Sequence, residues 1–247
     1  MQSGLAQRTP PRLADLLDEG PTALFLDFDG TLVDLAAGPD RIAPRAGLAG
    51  ALAALAGRLE GRLAVISGRA IADIERHIGA IEIAAAGSHG SDIRTACGDA
   101  LGDGPAGLPD AIARALEDYA AREGLAYEAK PHGGALHFRA APERGEAARQ
   151  FAGELAREHG WQVQGGNNVV ELVARGTSKA GAVRAFMEAH PFAGARPYFI
   201  GDDLTDEAGF EACEAMGGAG IIVGDREPSA ATYRLQGVAD VHAWLGL

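Results

Sequence analysis

The chain has 247 residues, 47% of them hydrophobic and 23% charged, enough to bury a core in one large domain or two small ones. Its net charge of −12 excludes general binding to nucleic acid or to an anionic membrane, because a phosphate backbone needs a basic surface. Two cysteines, Cys97 and Cys213, are too few for a disulfide framework or a metal cluster, and no run approaches 18 apolar residues, so a cytoplasmic protein is expected.

Residues 1–12 carry no apolar signal segment. A short helical piece follows around Leu13, Leu16 and Leu17. Ala23-Leu24-Phe25-Leu26 reads as a buried strand running into Asp27-Phe28-Asp29-Gly30-Thr31-Leu32. Leu48, Leu52, Leu55 and Leu59 recur at helical spacing, which predicts an amphipathic helix over about 45–58. Leu63-Ala64-Val65-Ile66 predicts a second strand, ending at Ser67-Gly68-Arg69. Ile71, Ile74 and Ile78 predict a helix, and residues 81–86 a third strand, ending at Gly87-Ser88-His89-Gly90. Strands alternating with helices through short connections imply parallel pairing with right-handed crossovers. In such sheets ligands bind beyond the carboxyl ends of the strands.

Between about 95 and 107 the composition turns to Gly, Asp and Pro, as at a linker. Gly102-x-Gly104-x-x-Gly107 matches a dinucleotide fingerprint by letter, but no strand precedes it, so it reads as part of that linker. Beyond it, Ile112 and Leu116 predict a helix, residues 135–139 a half-exposed strand, Phe151 and Leu155 a helix, and residues 161–164 and 169–173 two strands. An antiparallel sheet with two helices on one face is expected. Ser178 is placed to cap a helix through Val183 and Met187. Pro197-Tyr198-Phe199-Ile200 is a fourth buried strand, ending at Gly201-Asp202-Asp203. A helix over 206–215, a fifth strand over 220–223 and one or two closing helices from Leu235 complete the chain.

Asp-x-Asp-Gly alone is an ordinary turn, Lys179 alone an exposed helix lysine, and Ser67 alone a loop serine. Their order along the chain, each at a strand end or helix start, points to phosphoryl transfer. Asp27 is placed to attack phosphorus, and Asp29 to protonate the leaving oxygen and later deprotonate water. Mg2+ held by Asp27, the Asp29 carbonyl and Asp202, with Asp203 beside them, would keep carboxylates and phosphate together. Ser67, Gly68 and Lys179 are expected on the phosphoryl oxygens, with N–H groups of the Gly30-Thr31 turn as a nest. Asp206 and Glu207 stand behind this set. In the inserted segment, Glu128 and Lys130, and His137 and Arg139, pair two apart on strands, and Glu171 interrupts an apolar run. All five are expected on a sugar.

These motifs resemble those of the haloacid-dehalogenase-like (HAD) phosphohydrolases. Within that superfamily the chain is similar to trehalose-6-phosphate phosphatases. The more specific marks are Ser67-Gly68-Arg69, Gly87-Ser88-His89-Gly90, Glu128-x-Lys130 with His137-Phe138-Arg139, Val170-Glu171, and Gly201-Asp202-Asp203-Leu204-Thr205-Asp206-Glu207-Ala208. The resemblance implies an α/β fold: a Rossmann-like catalytic core over 1–94 and 175–247, and a smaller α/β cap over 95–174 that sets specificity. It also implies Mg2+ dependence, sugar contacts from Arg69 and His89, and release of trehalose and inorganic phosphate. A monomer is the working expectation, which the resemblance itself does not carry. Asp92 stands where this family leads one to expect Glu, a shorter reach toward any sugar hydroxyl. Sucrose phosphate or mannosylphosphoglycerate as substrate, or a catalytically silent phosphosugar binder, are the competing readings.

Overall fold

The computed structural model describes residues 7–36, 41–101, 107–130, 132–166 and 168–247. In chain order the elements are α1 (Leu13–Glu19), β1 (Thr22–Leu26), α2 (Leu48–Arg58), β2 (Leu63–Ile66), α3 (Ile71–Ile78), β3 (Ala84–Gly87), β4 (Asp92–Arg94), α4 (Asp110–Glu123), β5 (Ala126–Lys130) and β6 (Gly133–His137). There follow α5 (Gly145–His159), β7 (Gln162–Gly166), β8 (Val169–Val173), α6 (Lys179–Met187), β9 (Arg196–Gly201), α7 (Glu207–Ala215), β10 (Ala219–Val223), β11 (Tyr233–Leu235) and α8 (Val238–Leu245). The chain divides into two compact units, Met1–Asp103 with Ser178–Leu247, and Gly104–Thr177.

The first unit is built on a seven-stranded sheet of order β11-β10-β9-β1-β2-β3-β4, parallel except at the β3–β4 edge. Its central strands are short and mostly apolar because both faces are covered, with Thr22 and Arg196 only at strand starts. Leu24, Leu26, Val65 and Ile200 pack with Leu16 of α1, Leu52 of α2 and Val241 of α8. On the opposite face Phe25, Ile66, Phe199 and Ile222 pack with Phe186 of α6 and Phe210 of α7. Each such side chain contributes about 1.5–3 kcal/mol on burial, so neither layer is dispensable. In register Leu26 lies beside both Val65 and Ile200, which brings the residues after all three strands to one edge.

The second unit is an antiparallel sheet of order β5-β6-β8-β7. Leu136, Val170 and Leu172 point to the face covered by Ile112 and Leu116 of α4 and Ala148 and Ala152 of α5. The other face carries the row Glu128, Ala135, Glu171 and Gln164, mutually opposite in register.

The structure departs from the expected elements in several places. The third strand begins at Ala84 rather than residue 81, because pairing with β2 starts only at Ala64↔Ala84. The stretch expected as linker follows β4, which pairs antiparallel with β3, and a turn closed by Thr95 N–H to Asp99 O at 2.8 Å. Residues 102–106, and with them nearly all of the Gly102-x-Gly104-x-x-Gly107 pattern, lie outside the described residues. The strand expected over 135–139 runs from Gly133 to His137 and leaves Arg139 exposed in the turn beyond it. Residues 233–235 form a strand beside β10 that was not expected, and the closing helix begins at Val238 rather than Leu235.

Candidate active site

β1, β2 and β9 end together, and each delivers a polar side chain at the moment its apolar run stops. Asp27 follows Leu26 and is buried, as is Ser67 after Ile66. Asp202 follows Gly201, the last residue of β9. α6 begins nearby: Ser178 caps it by accepting from Gly181 N–H at 3.0 Å, and Lys179, its first residue, is 3% exposed. Asp27, Asp29, Ser67, Gly68, His89, Lys179, Asp202, Asp203 and Thr205 line one cavity of about 310 Å3 with Leu35.

At its floor the Lys179 ammonium donates to Asp27 Oδ1 at 2.7 Å and to Asp206 Oδ1 at 2.5 Å. Carboxylate oxygens of Asp27, Asp202 and Asp206 lie within 4.8 Å of one another. Three carboxylates against one ammonium leave two negative charges unmatched in a buried place. Burial, then the neighbouring Asp206 and Asp202, push the Asp27 carboxyl well above its usual range, although Lys179 pulls the other way. Asp202 is raised to about 7, first by burial and then by Asp206 and Asp203. Burial alone would lower the Lys179 ammonium; Asp206 and Asp27 outweigh it and raise it. An all-oxygen set short of two positive charges fits a hard divalent cation. Asp27, Asp202 and Asp206 are the side chains that would hold it.

Two glycines make this crowding possible. A Cβ on Gly30, whose φ is +74°, would lie 2.1 Å from Asp202 Oδ2. One on Gly201 would lie 2.3 Å from Asp206 Cγ. Gly68 has a similar function, since a Cβ there would lie 2.6 Å from His89 Cε1.

The family profile of the trehalose-phosphatases matches residues 25–239, which hold every group in this cavity. The chain belongs to the trehalose-phosphatase family. It is 37% identical over 231 residues to the trehalose-6-phosphate phosphatase of Escherichia coli K12, spanning 90% of this chain and 85% of that relative. The C-terminal domain of C. albicans trehalose-6-phosphate phosphatase is similar in structure, with a TM-score of 0.77 at 21% identity over 99% of this chain and 98% of that one. A HAD-superfamily phosphatase from Bacteroides thetaiotaomicron gives 0.69 at 17% identity over 100% and 98%, a likeness of fold. A member of this family is a phosphoric monoester hydrolase with the α/β HAD architecture.

Against this trehalose-phosphatase cavity, several sequence expectations need correction. The N–H groups of Gly30 and Thr31 do not form an open nest. Gly30 N–H donates to Val33 O at 2.7 Å and Thr31 N–H to Phe28 O at 3.4 Å, so the turn consumes them itself. The Thr31 hydroxyl is buried with no hydrogen-bond partner among the described residues. Asp203, expected beside the cation, is exposed and accepts from Leu204 N–H at 2.7 Å, capping the 3-10 turn Leu204–Asp206. Asp206 joins the carboxylate cluster instead. Spacing alone did not mark it: Asp202 precedes the extended cap residue Asp203, and Asp206 turns inward because its side chain accepts from Asp203 N–H at 2.9 Å. The Asp29 carboxylate, expected to move protons rather than to hold the cation, is paired elsewhere. Arg69 Nε and Nη2 donate to its two oxygens at 2.6 and 2.8 Å, and Arg69 Nη1 to Asp73 at 2.8 Å. Arg69, expected on the sugar, is therefore tied to the catalytic candidate. The Ser67 hydroxyl accepts from Arg69 N–H at 3.1 Å, and Ser67 O accepts from His89 N–H at 2.9 Å, which fixes these two loops together.

In the second unit Lys130 pairs with Glu171, which is 8% exposed, on the face away from the helices. A His137 ring nitrogen lies 2.7 Å from Glu128 Oε2. Gln164, which the sequence reading passed over, stands opposite Glu171 and donates to Thr177 O at 2.8 Å. Its own carbonyl oxygen is buried with no hydrogen-bond partner among the described residues.

Proposed function

We propose that this chain hydrolyses trehalose 6-phosphate to trehalose and inorganic phosphate, with Mg2+ bound, through a phosphoryl group carried transiently on Asp27. The observation that supports this most is the buried cluster of Asp27, Asp202 and Asp206 against a single ammonium. Mg2+ held by these acids would supply positive charge to the phosphoryl oxygens. The Asp27 oxygen forms a bond to phosphorus as the ester P–O bond breaks, and Asp29 passes its proton to the departing sugar oxygen. Water then attacks the same phosphorus, gives its proton to Asp29, and returns Asp27 as a carboxylate. In the structure Arg69 holds both oxygens of the Asp29 carboxylate, so Asp29 takes up the proton it donates only when that fork opens. Lys179 with the buried Ser67 hydroxyl meets the phosphoryl oxygens. Two cysteines without a disulfide, one exposed and one buried, suit the cytoplasm, where we place a monomeric enzyme.

The seven-stranded unit is the catalytic core and the four-stranded unit the specificity cap in this reading. The Glu128, Lys130, His137 and Glu171 face supplies donors and acceptors for sugar hydroxyls, with Arg139 a further candidate on the same unit and His89 a candidate on the core. Glu171→Ala should cut turnover of trehalose 6-phosphate about tenfold or more while a small aryl phosphate loses under about threefold. Equal losses on both substrates would remove Glu171 from the sugar.

The deciding experiment for the function is phosphate release from a panel of sugar phosphates with Mg2+ or EDTA. Trehalose 6-phosphate is expected to outpace sucrose 6-phosphate and mannosylphosphoglycerate, and chelation to silence all three. A faster second sugar phosphate would replace the substrate, and turnover indifferent to EDTA would remove the cation.

A further inference from the structure

Two of the three clustered acids, Asp202 and Asp206, ride on one loop and short turn after β9, and holding their like charges together is costly. Internal bonds hold it in part: Asp203 caps the turn, and Asp203 N–H donates to Asp206 Oδ2 at 2.9 Å. The remaining restraint comes from the other side of the sheet edge. Arg226 lies on the connection after β10. Its Nε donates to Asp202 O and its Nη2 to Asp203 O, each at 3.2 Å, and its Nη1 to Pro228 O at 3.2 Å. Nη2 also pairs with Glu207 Oε1, and the second Glu207 oxygen accepts from Ala230 N–H at 2.7 Å. Arg226 is 26% and Glu207 17% exposed, so the pair is only partly screened by water.

We propose that Arg226, held by Glu207, is a positioning residue that fixes the Asp202–Asp203 backbone and thereby sets the affinity of the acid cluster for its divalent cation. This rests on the reading of Asp27, Asp202 and Asp206 as a cation site. The planar fork suits the task. One guanidinium spans two successive carbonyls and a carboxylate at fixed angles, which an ammonium cannot do. The guanidinium brings a positive charge to the loop backbone through the Asp202 and Asp203 carbonyls, so it offsets part of that cost without taking up the clustered carboxylate oxygens. Partners of ligands commonly control metal affinity in this way.

The test titrates Mn2+ into purified full-length protein and follows the free-ion signal by electron paramagnetic resonance, alongside steady-state kinetics. Arg226→Ala is expected to weaken Mn2+ binding about tenfold or more. KM for the phosphate ester at saturating metal should stay within about twofold, which separates cation positioning from substrate contact. Arg226→Lys should recover part of the affinity. Glu207→Gln keeps the side chain's size and should shift affinity in the same direction by less, and it serves if Arg226→Ala does not fold. Unchanged Mn2+ affinity in either folded variant, with tight binding by the wild type, would overturn the positioning role alone. Failure of the wild type to bind Mn2+ would overturn the cation site itself and this inference with it.

Discussion

Asp27→Asn should abolish turnover, by roughly four orders of magnitude or more, with the fold intact. The amide keeps the shape of the side chain in its buried position after β1 but has no electron pair able to attack phosphorus. Stability distinguishes this from simple damage. Burial and the adjacent acids raise the Asp27 carboxyl in the folded protein, so between its unfolded and its raised value the native state binds more protons there than the unfolded chain does. Folding stability is therefore lost as pH rises from the unfolded value through the raised one. A permanently neutral amide escapes that loss. Metal-free Asp27→Asn should melt no lower than wild type at neutral pH, and trehalose 6-phosphate should still bind. A variant that keeps most of its activity would move the phosphoryl acceptor elsewhere.

Lys179→Met should be the most destabilising single change in the site. Lys179 is the only cation within hydrogen-bond reach of Asp27 and Asp206 among the described residues, and it is 3% exposed. Its removal leaves buried carboxylates unpaired, a loss of about 3–5 kcal/mol, beyond the lost phosphate contact. The same charge argument predicts a compensation. A divalent cation bound only by the folded state restores stability by mass action, and the more exposed the repulsion, the larger the gain. Urea denaturation of Lys179→Met with and without Mg2+ should show a larger Mg2+-dependent rise in midpoint than wild type. Equal midpoints for the two proteins without metal would mean that Lys179 does not balance the cluster.

Much of the fold could be read because its strands are buried on both faces. A run such as Leu63-Ala64-Val65-Ile66 has one plausible use, and the polar residue that ends it marks the ligand edge. β4 and β11 escaped notice for the opposite reason. They are three-residue edge strands with half-buried faces, too short for alternation to register. At the site, Asp27, Ser67, Lys179 and Asp202 were legible from position alone. What spacing did not disclose was direction. Asp203 and Asp206 both lie near the cluster in sequence, and only the cap geometry decides which turns outward and which turns in. The same holds for Arg69, whose partner Asp29 lies 40 positions away, and for Arg226, which no motif marked.

β1 sits at the middle of the large sheet, flanked by β2 and β9. Its second neighbour leaves the ribosome only after the whole four-stranded unit has been made, on the order of ten seconds later. Throughout that interval the uncharged ladder Thr22-Ala23-Leu24-Phe25-Leu26 has one side bare to the cell, the kind of edge to which other extended chains add. Any product truncated before Arg196 keeps that edge permanently open, so such fragments call for chaperone cover or rapid proteolysis.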